Sequence, residues 1–429
     1  MKPKDPVSLP ELLSPAGTFE KLPFALRYGA DAVYLAGQEF GMRSAAGNFT
    51  DEELFSAFHL VHAAGKKCYL TLNTMPRDSE LVRLESFLDR ISQDPPDGVI
   101  VSDLGVFALC RKHLPNVAIH VSTQASAVNS EDCRMWYHLG AKRVVLAREL
   151  SLSDIDKIRA NTPLDLELEV FIHGSMCVAY SGRCLLSNYF TGRDANRGAC
   201  TQPCRWSYHF TEDSRPDEIL TVESHREGSF VFGSKDLCML DHLRELIDCG
   251  INSFKIEGRM KSAYYCAAVT NVYRIMLDAL AGNRPKPNQN ALWRELMSVS
   301  HRAYGTGFFF DETMLDPHLV DDNGYESENS FLAEVLRGAG KCRFLCVQKN
   351  RFSPGEEIEV LRPGQTGEKI LVSAMYDEDG NPIENCPHPK MKFIVETNAK
   401  MESGDLLRRI PKILYNSESI HDTDHRRKL

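Results

Sequence analysis

Five cysteines, Cys177, Cys184, Cys200, Cys204 and Cys238, are separated by six, fifteen, three and thirty-three residues. Thiolates are soft ligands suited to zinc or to iron–sulfur clusters, and a reducing compartment gives such a concentration little other use. Zinc knuckles use paired hooks of C-x2-C spacing, which are absent here, so the spacing leans toward a cluster. The plain alternative, buried free thiols acting as small hydrophobes, suits the scattered Cys68, Cys110, Cys133, Cys249, Cys266, Cys342, Cys346 and Cys386.

Other reactive side chains lie in or near that stretch or at the ends of apolar runs. Arg148 and Glu149 (LARELS), Arg183 (SGRC), Arg205 (CRW) and Arg259 (EGR) include the planar forks that a dicarboxylate requires. His173 can move a proton near neutral pH, and Glu257 can pair with arginine or hold a ribose hydroxyl. Arg148, Glu149, His173 and Glu257 are therefore the catalytic candidates. His120 and Gln124 (HVSTQ) join Arg183, Arg205 and Arg259 as substrate-binding candidates, provided the strand alternates inward on even positions. Any one arginine serves equally well as a surface ion-pair partner, and a histidine here as a structural hydrogen-bonding group. Tyr180, Tyr189, Phe190, Trp206 and Tyr208 interleave with Arg183, Arg193, Arg197 and Arg205, a mixture that suits splayed RNA bases, with core packing as the ordinary alternative.

These residues sit on a repeating frame. Eight short apolar runs, Glu11 to Gly17, Asp31 to Gly37, Lys67 to Thr74, Gly98 to Asp103, Ala118 to Ala125, Arg143 to Glu149, Leu166 to Gly174 and Ser253 to Arg259, alternate with segments of largely helical composition. Parallel strands joined by right-handed crossovers, eight in number, predict an α/β fold: a (β/α)8 TIM-like barrel. Polar side chains recur at the runs' C-terminal ends, the rim on which such barrels build active sites, whereas an open sheet concentrates its ligands at one switch point. The barrel is expected over residues 1–282 with a cysteine-rich insertion at 175–252. A linker and bridging segment follows over 283–330. Period-two runs between turn signals predict a small C-terminal β-barrel over 331–415, with a tail at 416–429. In that domain Arg337, Lys341, Arg343, Lys349, Arg351, Lys390 and Lys392 give local positive charge suited to nucleic acid or to a solvated face.

The 429 residues are 43% hydrophobic and 25% charged, which excludes disordered and collagen-like classes. No apolar run approaches a bilayer span and no signal peptide is evident, so a cytoplasmic location and no membrane partner are expected. The net charge of −9 argues against indiscriminate polyanion binding and leaves room for a restricted basic surface.

The segment FIHGSMCVAYSGRCLLSNYFTGRDANRGACTQPCRW, with ELLSPAGTFEKLPFALRYGADAVYLAG, HVSTQ, GSKDLCML, FKIEGRMKSAYY and SHRAYGTGF, strongly resembles the collagenase-like peptidases numbered thirty-two among the unclassified peptidase families. The match runs from about residue 11 to 310. Despite the name, the resemblance implies an oxygen-independent hydroxylating enzyme with a 4Fe-4S cluster and prephenate as oxygen donor. For short two-domain forms it implies tRNA as partner and 5-hydroxyuridine at the wobble position as product. It places the cluster ligands on Cys177, Cys184, Cys200 and Cys238 and leaves Cys204 outside the set. No stable protein partner is evident. Two other classes compete: a peptidase, which lacks HExxH, GxSxG and paired-carboxylate motifs here, and a zinc-stabilised RNA-binding module, which leaves the polar rim without a use.

Overall fold

The computed structural model describes residues 9–43, 47–177, 179–206, 235–310, 331–388 and 390–411, and the backbone of 211–212 and 215–219. Each apolar run of the first 260 residues contains a strand buried on both faces, as parallel strands under a helical layer must be. In chain order these are β1 (Glu11–Pro15), α1 (Leu22–Arg27), β2 (Ala32–Leu35), α2 (Asp51–Ala63), β3 (Lys67–Leu72), α3 (Asp78–Ile91), β4 (Gly98–Val101) and α4 (Leu104–His113). There follow β5 (Ala118–Val121), α5 (Ser130–Leu139), β6 (Arg143–Val145), α6 (Leu152–Ala160) and β7 (Glu167–Ser175).

Polar residues placed just before the helices start them. Thr50 and Glu53 form a reciprocal capping box on α2, with bonds of 3.2 and 2.9 Å. Asp103 accepts from the Val106 N–H at 3.0 Å at the head of α4.

After β7 the chain leaves the barrel through α7 (Leu186–Thr191) and the short paired strands β8 (Thr211–Glu212) and β9 (Arg215–Ile219). It returns along β10 (Asp236–Cys238), antiparallel to the end of β7, before α8 (Leu243–Asp248) and β11 (Ser253–Ile256). β11 pairs in parallel with both β1 and β7, closing eight parallel strands into the expected TIM-type barrel. α8, although within the expected insertion, is thus the barrel's own crossover, and β10 extends the sheet at the end of β7 outside the closed ring.

α9 (Ala263–Leu280) is buried at 12 of its 18 residues, and α10 (Gln289–Met297) and β12 (Tyr304–Gly305) follow. The expected linker and bridging segment is therefore structured over its described residues, 283–310, with Leu292, Trp293 and Leu296 in the barrel's core.

The C-terminal domain comprises β13 (Phe331–Gly340), β14 (Arg343–Gln348), β15 (Glu357–Leu361), β16 (Glu368–Leu371), β17 (Ala374–Tyr376), β18 (Lys392–Glu396) and β19 (Leu406–Arg408). They form one antiparallel sheet in the order β16-β15-β19-β13-β14-β18-β17. Its edge strands β16 and β17 are consecutive in the chain, so the sheet curls into a half-barrel around Leu332, Val335, Phe393 and Val395.

This domain is fused to the barrel rather than tethered to it. Leu361 and Leu406 belong to the barrel's apolar cluster, and Tyr28 Oη donates to Leu361 O at 2.9 Å. Arg408, fully buried, meets Glu295 Oε2 and Oε1 at 2.5 and 2.7 Å, Glu359 Oε2 at 2.7 Å and Tyr264 Oη at 2.9 Å.

Candidate active site

The insertion lies over the C-terminal mouth of the barrel. Two glycines permit its close approach. Gly174, at φ 110°, lies where a Cβ would come within 2.5 Å of Glu257 O, and Gly182, at φ 81°, where one would come within 2.4 Å of Gln124 O. Arg148 pins the root of the insertion: its guanidinium donates to Ser175 O at 2.8 Å and Ser181 Oγ at 2.9 Å and lies over the Phe171 ring.

Beneath the insertion is a cavity of about 260 Å³ that combines thiols with cations. Cys177, Cys200 and Cys204 line it, together with Arg43, Arg205, Lys261 and Glu257. Cys184 lies within electrostatic reach of Cys177 and Cys200. Arg43 comes from the loop after β2 and holds a left-handed φ of 71°, a strained conformation for a side chain of this size. It stands 3.9 Å from Glu257. Burial pushes the Glu257 carboxyl upward, but Arg43, Arg148 and Arg259 outweigh it and hold Glu257 below the usual carboxylate range. Lys261 donates to Ser300 O at 2.8 Å, and burial, helped by Arg205 and Arg302 against Asp236, pushes its ammonium down to about 8. Arg205 donates to Gln202 Oε1 at 2.8 Å.

The sequence candidates divide between this cavity and elsewhere. Glu257, Arg205, Cys177 and Cys200 are on it. Arg148 is committed to holding the insertion, and Arg259 is buried and donates to Thr71 Oγ1 at 3.2 Å. Burial lowers Arg259 to about 10 and raises the Glu149 carboxyl, which Arg148 partly offsets. Arg183 is exposed near Asp132, and Gln124 lies under Gly182.

His173 is not on the mouth. The register of β7 against β11 shifts so that Ile256 meets His173 directly after Lys255 meets Phe171. This bulge inverts the alternation and turns His173 toward α9. There its Nδ1 lies 3.1 Å from Tyr273 Oη, while its Nε2 has no hydrogen-bond partner. Burial pushes this imidazole down to about 3, so it is neutral. Cys238, opposite His173 on β10, is buried with it, its Sγ 3.7 Å from the same tyrosine oxygen. The structure thus gathers Cys204 with Cys177 and Cys200, and sets Cys238 apart.

His120 also departs from the expected rim position. It belongs to a charged layer near the strands' N-terminal ends, edge-on to Tyr69 with ring centroids 4.6 Å apart. In that layer Arg143 reaches Glu11 at 2.7 Å and Glu169 at 2.9 Å, and Lys255 reaches Glu169 at 2.9 Å. Burial, with Arg143 beside it, keeps His120 well below the usual histidine range, and no acceptor or donor meets its Nδ1.

Arg43 and Lys261 were not singled out from sequence. Arg43 lies in a loop without periodicity, and Lys261 reads as the first residue of a helix.

Four thiols at or beside one cavity, all free, fit an iron–sulfur cluster by donor chemistry. As they stand, no three His, Cys, Asp or Glu side chains among the described residues converge closely enough to hold a metal ion. A larger cleft, about 770 Å³, lies between α1 and the C-terminal domain. Several of its charges neutralise one another, as Arg27 does with Asp405 at 2.7 Å.

A closed parallel barrel whose C-terminal mouth is capped by a cysteine-bearing insertion, fused to an antiparallel half-barrel, defines a TIM-type barrel protein with its site under the cap. The chain belongs to peptidase family U32: the family profile matches residues 17–316, and that of the U32 C-terminal domain matches 327–408. It is 36% identical over 402 residues to tRNA hydroxylation protein P1 of Bacillus subtilis, covering 93% of this chain and 94% of that protein. It is 37% identical to tRNA hydroxylation protein P of Escherichia coli over 82% of this chain and 86% of that one. A Methanocaldococcus jannaschii protein described as an uncharacterized protease is 42% identical over 84% and 86% of the two chains. Among the described residues no helix is long and apolar enough to cross a membrane.

Proposed function

We propose that this protein is an RNA-modifying enzyme that hydroxylates carbon 5 of the wobble uridine in tRNA without molecular oxygen. In this reading prephenate supplies the oxygen atom beside a 4Fe-4S cluster. The observation that carries it is the cavity, which puts thiols and three cationic side chains around one space at a barrel's catalytic mouth. Near full-length similarity to proteins named for tRNA hydroxylation supports the choice of RNA.

Cys177, Cys184 and Cys200 would hold the cluster, with Cys238 as the fourth ligand implied by resemblance. Bound there, the group supplies one-electron redox chemistry next to the anion-binding side chains. Arg43 and Arg205 hold the carboxylates of the small donor, a task that suits planar guanidinium forks. Lys261, whose ammonium titrates near neutrality, gives or takes a proton at the same wall of the cavity. Glu257 keeps Arg43 oriented.

A peptidase reading needs a nucleophile paired with a base. The cavity's thiols share it with cations and Glu257, and no histidine lines it among the described residues.

The test is nucleoside mass spectrometry of tRNA from a host that lacks its own activity and expresses this protein. Hydroxyuridine, or a derivative of it, is expected to rise and to fall again when prephenate synthesis is removed. Unmodified uridine despite iron-loaded protein and ample prephenate overturns the proposal.

A further inference from the structure

The insertion carries large aromatic rings that the barrel does not bury. Tyr189 is 83% exposed, Phe190 43% and Trp206 40%, although most aromatic residues of the barrel are buried. They form one continuous group: Tyr189 and Phe190 have centroids 5.2 Å apart and meet edge to face, and Phe190 and Trp206 lie 6.1 Å apart.

The group is held in place rather than displayed on a loose loop. Ser187 in α7 accepts from the Thr201 N–H at 3.1 Å and donates toward Cys200 Sγ at 3.7 Å, tying the helix to the cavity wall. Trp206 immediately follows Arg205, and both Arg205 and Cys204 line the cavity. The rings therefore form the outer margin of the candidate active site.

Charge identifies what they meet. Residues 180–206 contain four arginines, of which Arg197 is paired with Glu80 at 2.7 Å, and a single acidic residue, Asp194, within a chain of net charge −9. Asp194 is occupied as the cap of its own turn, accepting from the Asn196 N–H at 2.9 Å. Exposed rings beside a local excess of arginine match unpaired bases on a phosphate backbone, because every base offers a stacking face and every linkage a negative charge.

We propose that Tyr189, Phe190 and Trp206 form a stacking platform for unpaired bases of an RNA loop, holding the nucleotides that flank the one entering the cavity. The platform deepens the RNA reading above and rests on it. It discriminates single-stranded from duplex RNA, since bases within a helix present no free face. Arg193, exposed on the same face, meets an adjoining phosphate.

Tryptophan fluorescence reads the contact directly, because Trp136 and Trp293 are buried and Trp206 is the exposed indole. The full-length protein is titrated with an eight-residue oligouridylate, an anticodon-type hairpin and a blunt RNA duplex. Quenching is expected with the first two and not with the duplex. Tyr189→Ala and Trp206→Ala each weaken hairpin binding about tenfold while leaving the salt dependence unchanged. Tyr189→Phe restores affinity, because stacking requires the ring and not its hydroxyl, and Trp206→Phe binds without the fluorescence change. Undiminished affinity in both alanine variants, absence of quenching, or quenching by anionic phospholipid vesicles and not by oligouridylate overturns the platform. Hydroxyuridine formation with unchanged KM for tRNA in the alanine variants removes the platform and leaves the enzyme. Quenched RNA binding without any hydroxyuridine does the reverse.

Discussion

Replacing Arg408 by methionine tests whether one buried guanidinium joins the two domains. Glu295 and Glu359 are both fully buried against it. Once it is gone, Glu359 still has Arg294, and Glu295 keeps only neutral donors such as the Gly367 N–H at 2.9 Å. Removing one partner of a buried ion pair costs about 3–5 kcal/mol, chiefly because a charge is left without compensation. The loss is expected in that range from the urea midpoint followed by Trp293, which lies beside Arg294 on α10. Adding Glu295→Gln should recover about 2 kcal/mol, since it removes the stranded charge. A loss under about 1 kcal/mol, or no recovery on adding Glu295→Gln, refutes the reasoning.

Alanine at Cys177, Cys184, Cys200 or Cys238 is expected to abolish iron and visible absorbance in anaerobically prepared protein, and Cys204→Ala to retain both. Loss with Cys204→Ala and retention with Cys238→Ala would replace the inferred fourth ligand by the thiol now on the cavity. Glu169 governs acid stability: burial pushes it up, but Lys255 and Arg143 prevail and hold it at about 2. Its contribution, about 3 kcal/mol, is complete above pH 4.5 or so and is lost as pH falls toward about 2. Glu169→Gln should flatten that acid limb in a denaturation series, and an unchanged limb would show that the charge is not coupled to folding.

The barrel was legible because strands buried on both faces leave contiguous apolar runs, and because Asp103 and Thr50 mark the helix starts. Alternation does not announce its own defects. One extra residue at the β7 bulge carries His173 from the mouth to the helical layer, and His120 looks like a rim residue until the strand register places it among Arg143, Glu169 and Lys255. The thiols and Arg205 were readable by residue type. Arg148 was readable by position, but its bonds to Ser175 and Ser181 were not. Arg43 reaches the cavity through a left-handed backbone that no periodicity encodes. Glu295, Glu359 and Arg408 look like ordinary surface charges when separated in sequence, and they make the C-terminal sheet part of the barrel's core. Deleting residues from Phe331 would therefore strand the buried Glu295 without Arg408 and leave Tyr28 Oη without Leu361 O.

The closing pair of the barrel imposes a delay on synthesis. Glu11 in β1 waits for Ser253 in β11, roughly 240 residues later, about a third of that interval being the insertion. At about 5–20 residues per second the first strand spends some 12–50 s with one hydrogen-bonding edge unpaired. An unpaired edge invites foreign strands. The insertion over the mouth thus lengthens the period in which a nascent chain depends on whatever shields that edge at the ribosome, and lowering the growth temperature should raise the yield of closed barrel by slowing aggregation at that edge.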